Sequence, residues 1–214
     1  MKILLEKQVE RSGERRERTI ELLVSRVLMS YVPWFPAWGI SFSYPVDDIA
    51  TLISKINEIR PDNRWIMISF DVASSEVHLW SVWHKSRVNE ERGSMIARDL
   101  GAEFLRIISG TRQISTAIER SGVTKGDTSA WLLRLPELDV GESIGDTNLP
   151  VEEYNTHSKN AEKMIELLNG SMLSTRPFPS RSGLLKIGYA DEKMHIEDNM
   201  LEQAFILHAS MSDF

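Results

Sequence analysis

Residues 103–133, EFLRIISGTRQISTAIERSGVTKGDTSAWLL, constrain the fold more than any other stretch. Two amphipathic helical segments meet at Ser109-Gly110-Thr111, a second stop follows at Ser121-Gly122, and a strand opens after Asp127-Thr128. Glycine punctuates such an order because it ends a helix at little steric cost. The helix–glycine–helix–glycine–strand sequence holds no catalytic signature. It points to a surface that recognises, or is recognised.

The rest of the chain reads by periodicity. Residues 40–44 and 65–70 alternate as half-buried strands. Between them Asp47 can cap a helix with Ile49, Leu52, Ile53 and Ile56 on one face, stopping before Pro61. Ser74 or Ser75 starts a helix to about Val88, with Val77, Leu79, Trp80, Val82 and Trp83 inward. A further helix covers residues 95–108, and a short one over 112–121 offers Ile114, Ala117 and Ile118 to the core. Residues 129–135 make a third strand and 136–154 a long polar excursion. Asn155 or Thr156 caps a helix that buries Ala161, Met164, Ile165 and Leu168 and stops at Gly170. After a loop over 171–183 comes a fourth strand at 184–189. Glu197 and Asp198 then open a last helix with Leu201, Ala204, Phe205 and His208 on one face. The expected fold class is α/β (α+β): a single compact domain with a central sheet of about four strands flanked by helices.

Residues 1–38 read as an extension and 39–214 as the domain. Residues 1–28 hold seven Lys/Arg and five Asp/Glu, a balance of +2, while the remainder carries −8. Ile20, Leu23, Val24, Val27 and Leu28 make one apolar helical stripe, the mark of a peripheral helix docked on the domain or on another copy. An RNA-contacting arm is the alternative, weakened because Arg and Glu alternate there. Met29 offers an alternative start. Residues 31–38, YVPWFPAW, contain two prolines that forbid a regular helix.

Chemistry is sparse. The net charge of −6 argues against a dedicated duplex-DNA binder, though a local basic patch remains open. The absence of cysteine removes disulfides, thiolate catalysis and thiolate metal sites, and is compatible with the cytoplasm. No apolar run is long enough to span a bilayer, and the first residues are too charged for a secretory signal. Asn169-Gly170-Ser171 matches a glycosylation sequon and reads as a helix end. The residues 122–128, GVTKGDT, have phosphate-loop ingredients in the wrong order. His78 and His84, six apart, do not share a helix face, so no metal site is expected. No GxSxG elbow occurs. Two basic constellations remain: His84, Lys85 and Arg87 with Arg92 nearby, and Arg112-Gln113 with Arg120 further along the same short helix. Arg112-Gln113, at a helix amino terminus, could hold phosphate, and either cluster could be a solvated helix face.

EFLRIISGTRQI (103–114), AIERSGV (117–123) and DTS (127–129) resemble the small accessory subunit of the KEOPS complex, the family that includes the animal PRPK-binding protein. VHLW (77–80) through Lys85 resembles that family's histidine-containing helix, and LEQAFIL (201–207) its closing helix. The resemblance is dense over 75–135, looser over 40–75 and faint over 185–210. It implies a non-catalytic subunit without cofactor. Such a subunit binds the N-lobe of a small kinase-like ATPase, in an assembly that installs threonylcarbamoyl on tRNA adenosine. It also implies contact with the tRNA 3′ CCA tail, assigned here to His84, Lys85, Arg87, Arg112, Gln113 and Arg120. The kinase interface would fall on Ile114, Ile118, Leu201 and Phe205 where their faces are exposed; the alternative is that these four are core. A stand-alone small-molecule enzyme and an unrelated interaction module are the competing readings. Departures from the family pattern are the extra residues 1–38, the long loop 136–154 and the poorly matched stretch 171–196.

Overall fold

The computed structural model describes residues 34–141, 144, 147, 149–191 and 193–213. The apolar stripe of residues 20–28 lies outside them. In chain order the elements are β1 (Ala37–Phe42), α1 (Ile49–Ile59), β2 (Trp65–Ser69), α2 (Glu76–Glu91), α3 (Leu100–Ile108), α4 (Ile114–Ser121), β3 (Ser129–Arg134), α5 (Val151–Leu167), β4 (Gly170–Leu173), α6 (Arg181–Lys186) and α7 (Leu201–Ser210). The four strands form one antiparallel sheet in the order β2-β3-β1-β4. Seven helices around this sheet among the described residues make an α+β fold.

The strand period of two sends alternate side chains to opposite faces, and both faces are covered. Trp38, Ile40, Trp65, Ala130 and Leu132 pack with Ile56 of α1 and with Ala161, Met164 and Ile165 of α5. On the other face Ala37, Ile68, Trp131 and Leu133 pack with side chains of α2, α3, α6 and α7. Strand β1 begins at Ala37, three residues before the alternation alone suggests, because the pairing with β3 starts at Ala37↔Leu133; Arg176 also bonds the carbonyls of Phe35 (2.8 Å) and Ala37 (2.6 Å). Arg176 also lies 5.1 Å from the Trp34 ring centre, so one side chain anchors the first described residues.

Helix starts follow their caps. The Asp48 carboxylate accepts from the Ala50 and Thr51 N–H groups, one residue beyond the expected Asp47. The Ser75 hydroxyl accepts from the His78 N–H. Helix α3 starts at Leu100 rather than residue 95, because the Asp99 side chain accepts from the Ala102 N–H at 2.9 Å. The expected helix from residue 155 starts earlier, at Val151, directly after Pro150, whose extended backbone (ψ 136°) stands outside the first turn; Glu152 and Glu153 in that turn suit the helix dipole.

Two expectations fail. Residues 184–189 are not a strand: Leu184 and Ile187, both buried, stand three apart on helix α6 and the turn that follows it. The fourth strand is Gly170–Leu173, inside the expected loop, where it pairs with β1 from Gly39↔Leu173 to Phe42↔Gly170. Asn169, at φ 56°, makes the reversal from α5 into it. Several inward assignments also change. Val77 is 38% exposed and Ile118 51% exposed, so α4 buries Ala117 and Ser121 instead.

Candidate partner-binding surfaces

The signature stretch builds a buried ion pair. Glu103 and Arg106 lie one turn apart on α3, with side chains fully enclosed, and meet at 2.6 Å. The Glu103 carboxylate also accepts from Asn89 Nδ2 (2.7 Å), the Ile96 N–H (3.2 Å) and the Ala97 N–H (3.1 Å). Burial pushes the Glu103 pKa up, but hydrogen bonds from Arg106, Asn89 and Ala97 and the Arg106 charge outweigh it, leaving it below its usual value. Arg106 reaches on to the Ser212 carbonyl at 2.7 Å and to Asp213 at 3.0 Å.

Asp213 collects further cations. Lys85 Nζ lies 2.9 Å from its carboxylate, and Arg112 donates to its backbone carbonyl at 3.0 Å. Burial pushes the Asp213 pKa up, and contacts from Lys85 and Arg106 bring it below the ordinary value. Of the six residues expected to form a basic groove, Lys85 and Arg112 are therefore brought together. Gln113 stands beside Arg112 at the start of α4, where its side chain accepts from Thr116 and does not cap the helix. His84 instead lies 2.9 Å from the Gly141 carbonyl. Arg87 pairs with Glu90 and Glu91 and donates to the Leu138 carbonyl. Arg120, at the far end of α4, packs across Gly188, where an added Cβ would meet its guanidinium carbon at 2.7 Å. The two clusters expected from sequence thus form no single stripe: Lys85 and Arg112 meet at Asp213, while Gln113, His84, Arg87 and Arg120 have other neighbours.

Two histidines are enclosed between α2, α3 and α7. His208 Nε2 lies 2.9 Å from the Ser109 carbonyl and 3.1 Å from that of Ile187, so it carries the hydrogen and donates to both. His78 Nδ1 accepts from the Ser74 N–H at 3.3 Å. Burial, aided by the nearby His208, lowers the His78 pKa to about 3. Both histidines are core residues held neutral. Among the described residues no group of His, Cys, Asp and Glu could hold a metal ion, and no helix is long and apolar enough to cross a membrane.

In two places exposed apolar side chains border a hollow. On α7, Leu201 and Phe205 are buried at 7% and 0% exposure, which corrects their assignment to an interface: they line the core. The outer side of that region instead presents Met200, Leu207 and Met211, each about half exposed, and the first two border a hollow of about 310 Å³ with Tyr189 and Ile196. Sequence reasoning missed these three, although the periodicity that puts Phe205 inward puts Leu207 outward. The second place is a groove of about 420 Å³ between α1 and α4, floored by β2 and α3. Ile53 and Ile118, on its two walls, are each half exposed. Ile114, half-buried at the start of α4, lies two residues beyond Arg112.

No curated protein matches the chain. The family model described as "Kinase binding protein CGI-121" matches residues 45–177, more than half of the chain, from α1 through β4 and including the whole signature stretch. With that span matched, the chain belongs to the CGI-121 family of kinase-binding proteins, the family of the KEOPS small subunit.

Proposed function

We propose that this protein is a non-catalytic, cytoplasmic subunit of a KEOPS-type complex. It binds the kinase-like ATPase subunit and the tRNA 3′ CCA tail in support of threonylcarbamoyladenosine formation. The observation that carries the reading is the outer side of α7, where Met200, Leu207 and Met211 are exposed on a domain of a kinase-binding family. Water-facing apolar side chains that cluster, with a polar surround, suit a protein partner. Ile114, close in sequence to the Arg112–Asp213 contact, would extend this face.

The RNA part of the proposal rests on Lys85, Arg112 and Gln113. Lys85 already pairs with the Asp213 carboxylate, and Arg112 donates to the same residue's backbone carbonyl. A backbone phosphate of a single-stranded tail offers the same charge and acceptors. His84, Arg87 and Arg120 would contribute only after leaving their present partners.

Size-exclusion chromatography with the kinase-like subunit tests the reading. The unaltered chain should co-elute with it at micromolar concentration, and Leu207→Arg should abolish this without changing the melting temperature. Separate peaks for the unaltered chain refute kinase binding; undiminished co-elution of the variant refutes the α7 surface. For the RNA part, Arg112→Glu should weaken binding of intact tRNA, and tRNA lacking its CCA tail should bind poorly. Equal binding of trimmed and intact tRNA rejects it.

A further inference from the structure

We infer that the Asp213 carboxylate is a displaceable internal anion in the RNA-phosphate site, holding Lys85 and Arg106 until RNA takes its place. The inference rests on the RNA part of the proposed function and names how that same site is controlled. Asp213 lies in the turn after helix α7, and its carboxylate bridges cations of two other helices. One oxygen lies 2.9 Å from Lys85 Nζ of α2, the other 3.0 Å from Arg106 Nη2 of α3. Arg112 donates to the carbonyl of the same residue at 3.0 Å. A carboxylate held by two cations through separate oxygens presents the charge and acceptors that the two free oxygens of a phosphodiester would.

The buried charge does not depend on Asp213. Arg106 is fully enclosed, and Glu103 already meets it at Nε (3.1 Å) and Nη2 (2.6 Å). The Asp213 side chain, by contrast, is 46% exposed, so water can hydrate it as it leaves. Among the described residues its ion pairs and hydrogen bonds are to Lys85, Arg106 and Arg112. Two of these cations are held without its carboxylate. Lys85 Nζ also donates to the Ser210 carbonyl (3.0 Å) and the Ser212 hydroxyl (2.9 Å), and Arg106 Nη1 to the Ser212 carbonyl (2.7 Å). Departure of one side chain therefore leaves Lys85 and Arg106 in position, which lowers the ordering cost of binding.

Charge favours the exchange. Lys85, Arg106 and Arg112 face Glu103 and Asp213, three cations to two carboxylates, so Asp213 cancels one of the two positive charges that Glu103 leaves unmatched. Burial pushes the Asp213 pKa up, but Lys85 and Arg106 outweigh this, so it stays ionised at neutral pH and competes as an anion. Its tethering confers selectivity. A single free anion must outcompete a carboxylate attached to the same chain, whereas a strand that meets Lys85 and Arg112 with successive phosphates binds at two points at once.

Asp213→Asn keeps the shape and a carbonyl acceptor and removes the charge. Glu162→Gln, at an exposed position of α5 over the other face of the sheet, removes the same charge elsewhere. Binding of a single-stranded RNA oligonucleotide ending in CCA to the full chain is followed by fluorescence anisotropy at fixed salt. The expected result is about fivefold tighter binding by Asp213→Asn, the upper end of what a half-exposed ion pair holds back, and no gain for Glu162→Gln. A second measurement leaves the sequence unaltered. A carbodiimide, taking up the water lost, should join Lys85 to Asp213 through an amide bond detected by mass spectrometry. Saturating RNA should suppress this link and spare the one between Lys125 and Asp47, 2.8 Å apart. Unchanged or weaker binding by Asp213→Asn, an equal gain from Glu162→Gln, or a Lys85–Asp213 link untouched by RNA each overturn the inference while leaving RNA binding by the unaltered chain intact. No binding by either the unaltered chain or Asp213→Asn refutes the RNA reading itself, and the inference with it.

Discussion

Replacing Glu103 with alanine tests the central network of the signature stretch. Five donors converge on this enclosed carboxylate: Arg106 Nε and Nη2, Asn89 Nδ2, and the N–H groups of Ile96 and Ala97. Alanine leaves the backbone donors near residues 96 and 97 unpaired and strips Arg106 of its main counter-charge. Removing one partner of a buried pair typically costs about 3–5 kcal/mol. Arg106 keeps Asp213 and the Ser212 carbonyl, which argues for the middle of that range, about 4 kcal/mol, against a typical total of about 5–15. With a urea slope of about 2 kcal/mol per molar, the unfolding midpoint should fall by about 2 M. The assay is equilibrium urea unfolding followed by fluorescence of the buried tryptophans, among them Trp80, Trp83 and Trp131. Because the Glu103 pKa is lowered in the folded chain, its contribution is full at neutral pH, above the ordinary carboxylate value, and is lost as pH falls through the folded value. A double-mutant cycle with Arg106→Ala should show strong coupling. A loss below about 1 kcal/mol, or additive single changes, would falsify the claim that this pair organises the region.

His78 titrates near 6.5 when unfolded and near 3 when folded, so its neutral form favours folding fully above pH 6.5 and progressively less below it. Stability should drop by about 2 kcal/mol between pH 6.5 and 5, at about 1.4 kcal/mol per unit; a His78→Gln chain with an unchanged slope in urea titrations at stepped pH would contradict this. Gly110→Ala places a side chain at φ +58° and against the His208 ring, disturbing its bonds to the Ser109 and Ile187 carbonyls. The expected cost is about 3 kcal/mol, combining backbone strain with lost hydrogen bonds, and a thermal midpoint within error of the unaltered chain would count against it. Phe205→Ala should cost about 3–5 kcal/mol through the cavity it leaves, whereas Leu207→Ala should leave the urea midpoint nearly unchanged; similar losses would mean that the two sides of α7 are misassigned.

Much of the architecture was legible because its causes are local. Capping at Ser75, the stops at Gly110 and Gly122 and the strand after Asp127-Thr128 each depend on a few neighbouring residues. The same holds for the inward face of the last helix: Leu201, Ala204, Phe205 and His208 follow helical spacing, and all four are buried. The resemblance-based reading of Leu201 and Phe205 as interface fails for the reason the periodicity supplies. The signature stretch was also enough to mark the family to which the chain belongs.

What the sequence by itself determined, then, is six of the seven described helices, three of the four strands, the family and most of the residues that are buried. Tertiary structure alone decided the rest, because the responsible contacts join residues far apart in the chain. Strand β4 has four residues and little pattern of its own, and exists because β1 offers it a pairing edge. Leu184 and Ile187 suit a strand or a helix until packing against Val72 and Phe205 selects the helix. Lys85 and Arg112 become neighbours only through Asp213, more than a hundred residues away from either. Ile53 and Ile118 have the side chains of core residues, and only the separation of α1 from α4 leaves them facing a groove. Local spacing dictates which side of an element is apolar; what that side meets depends on chain closure over long separations, which no local pattern encodes.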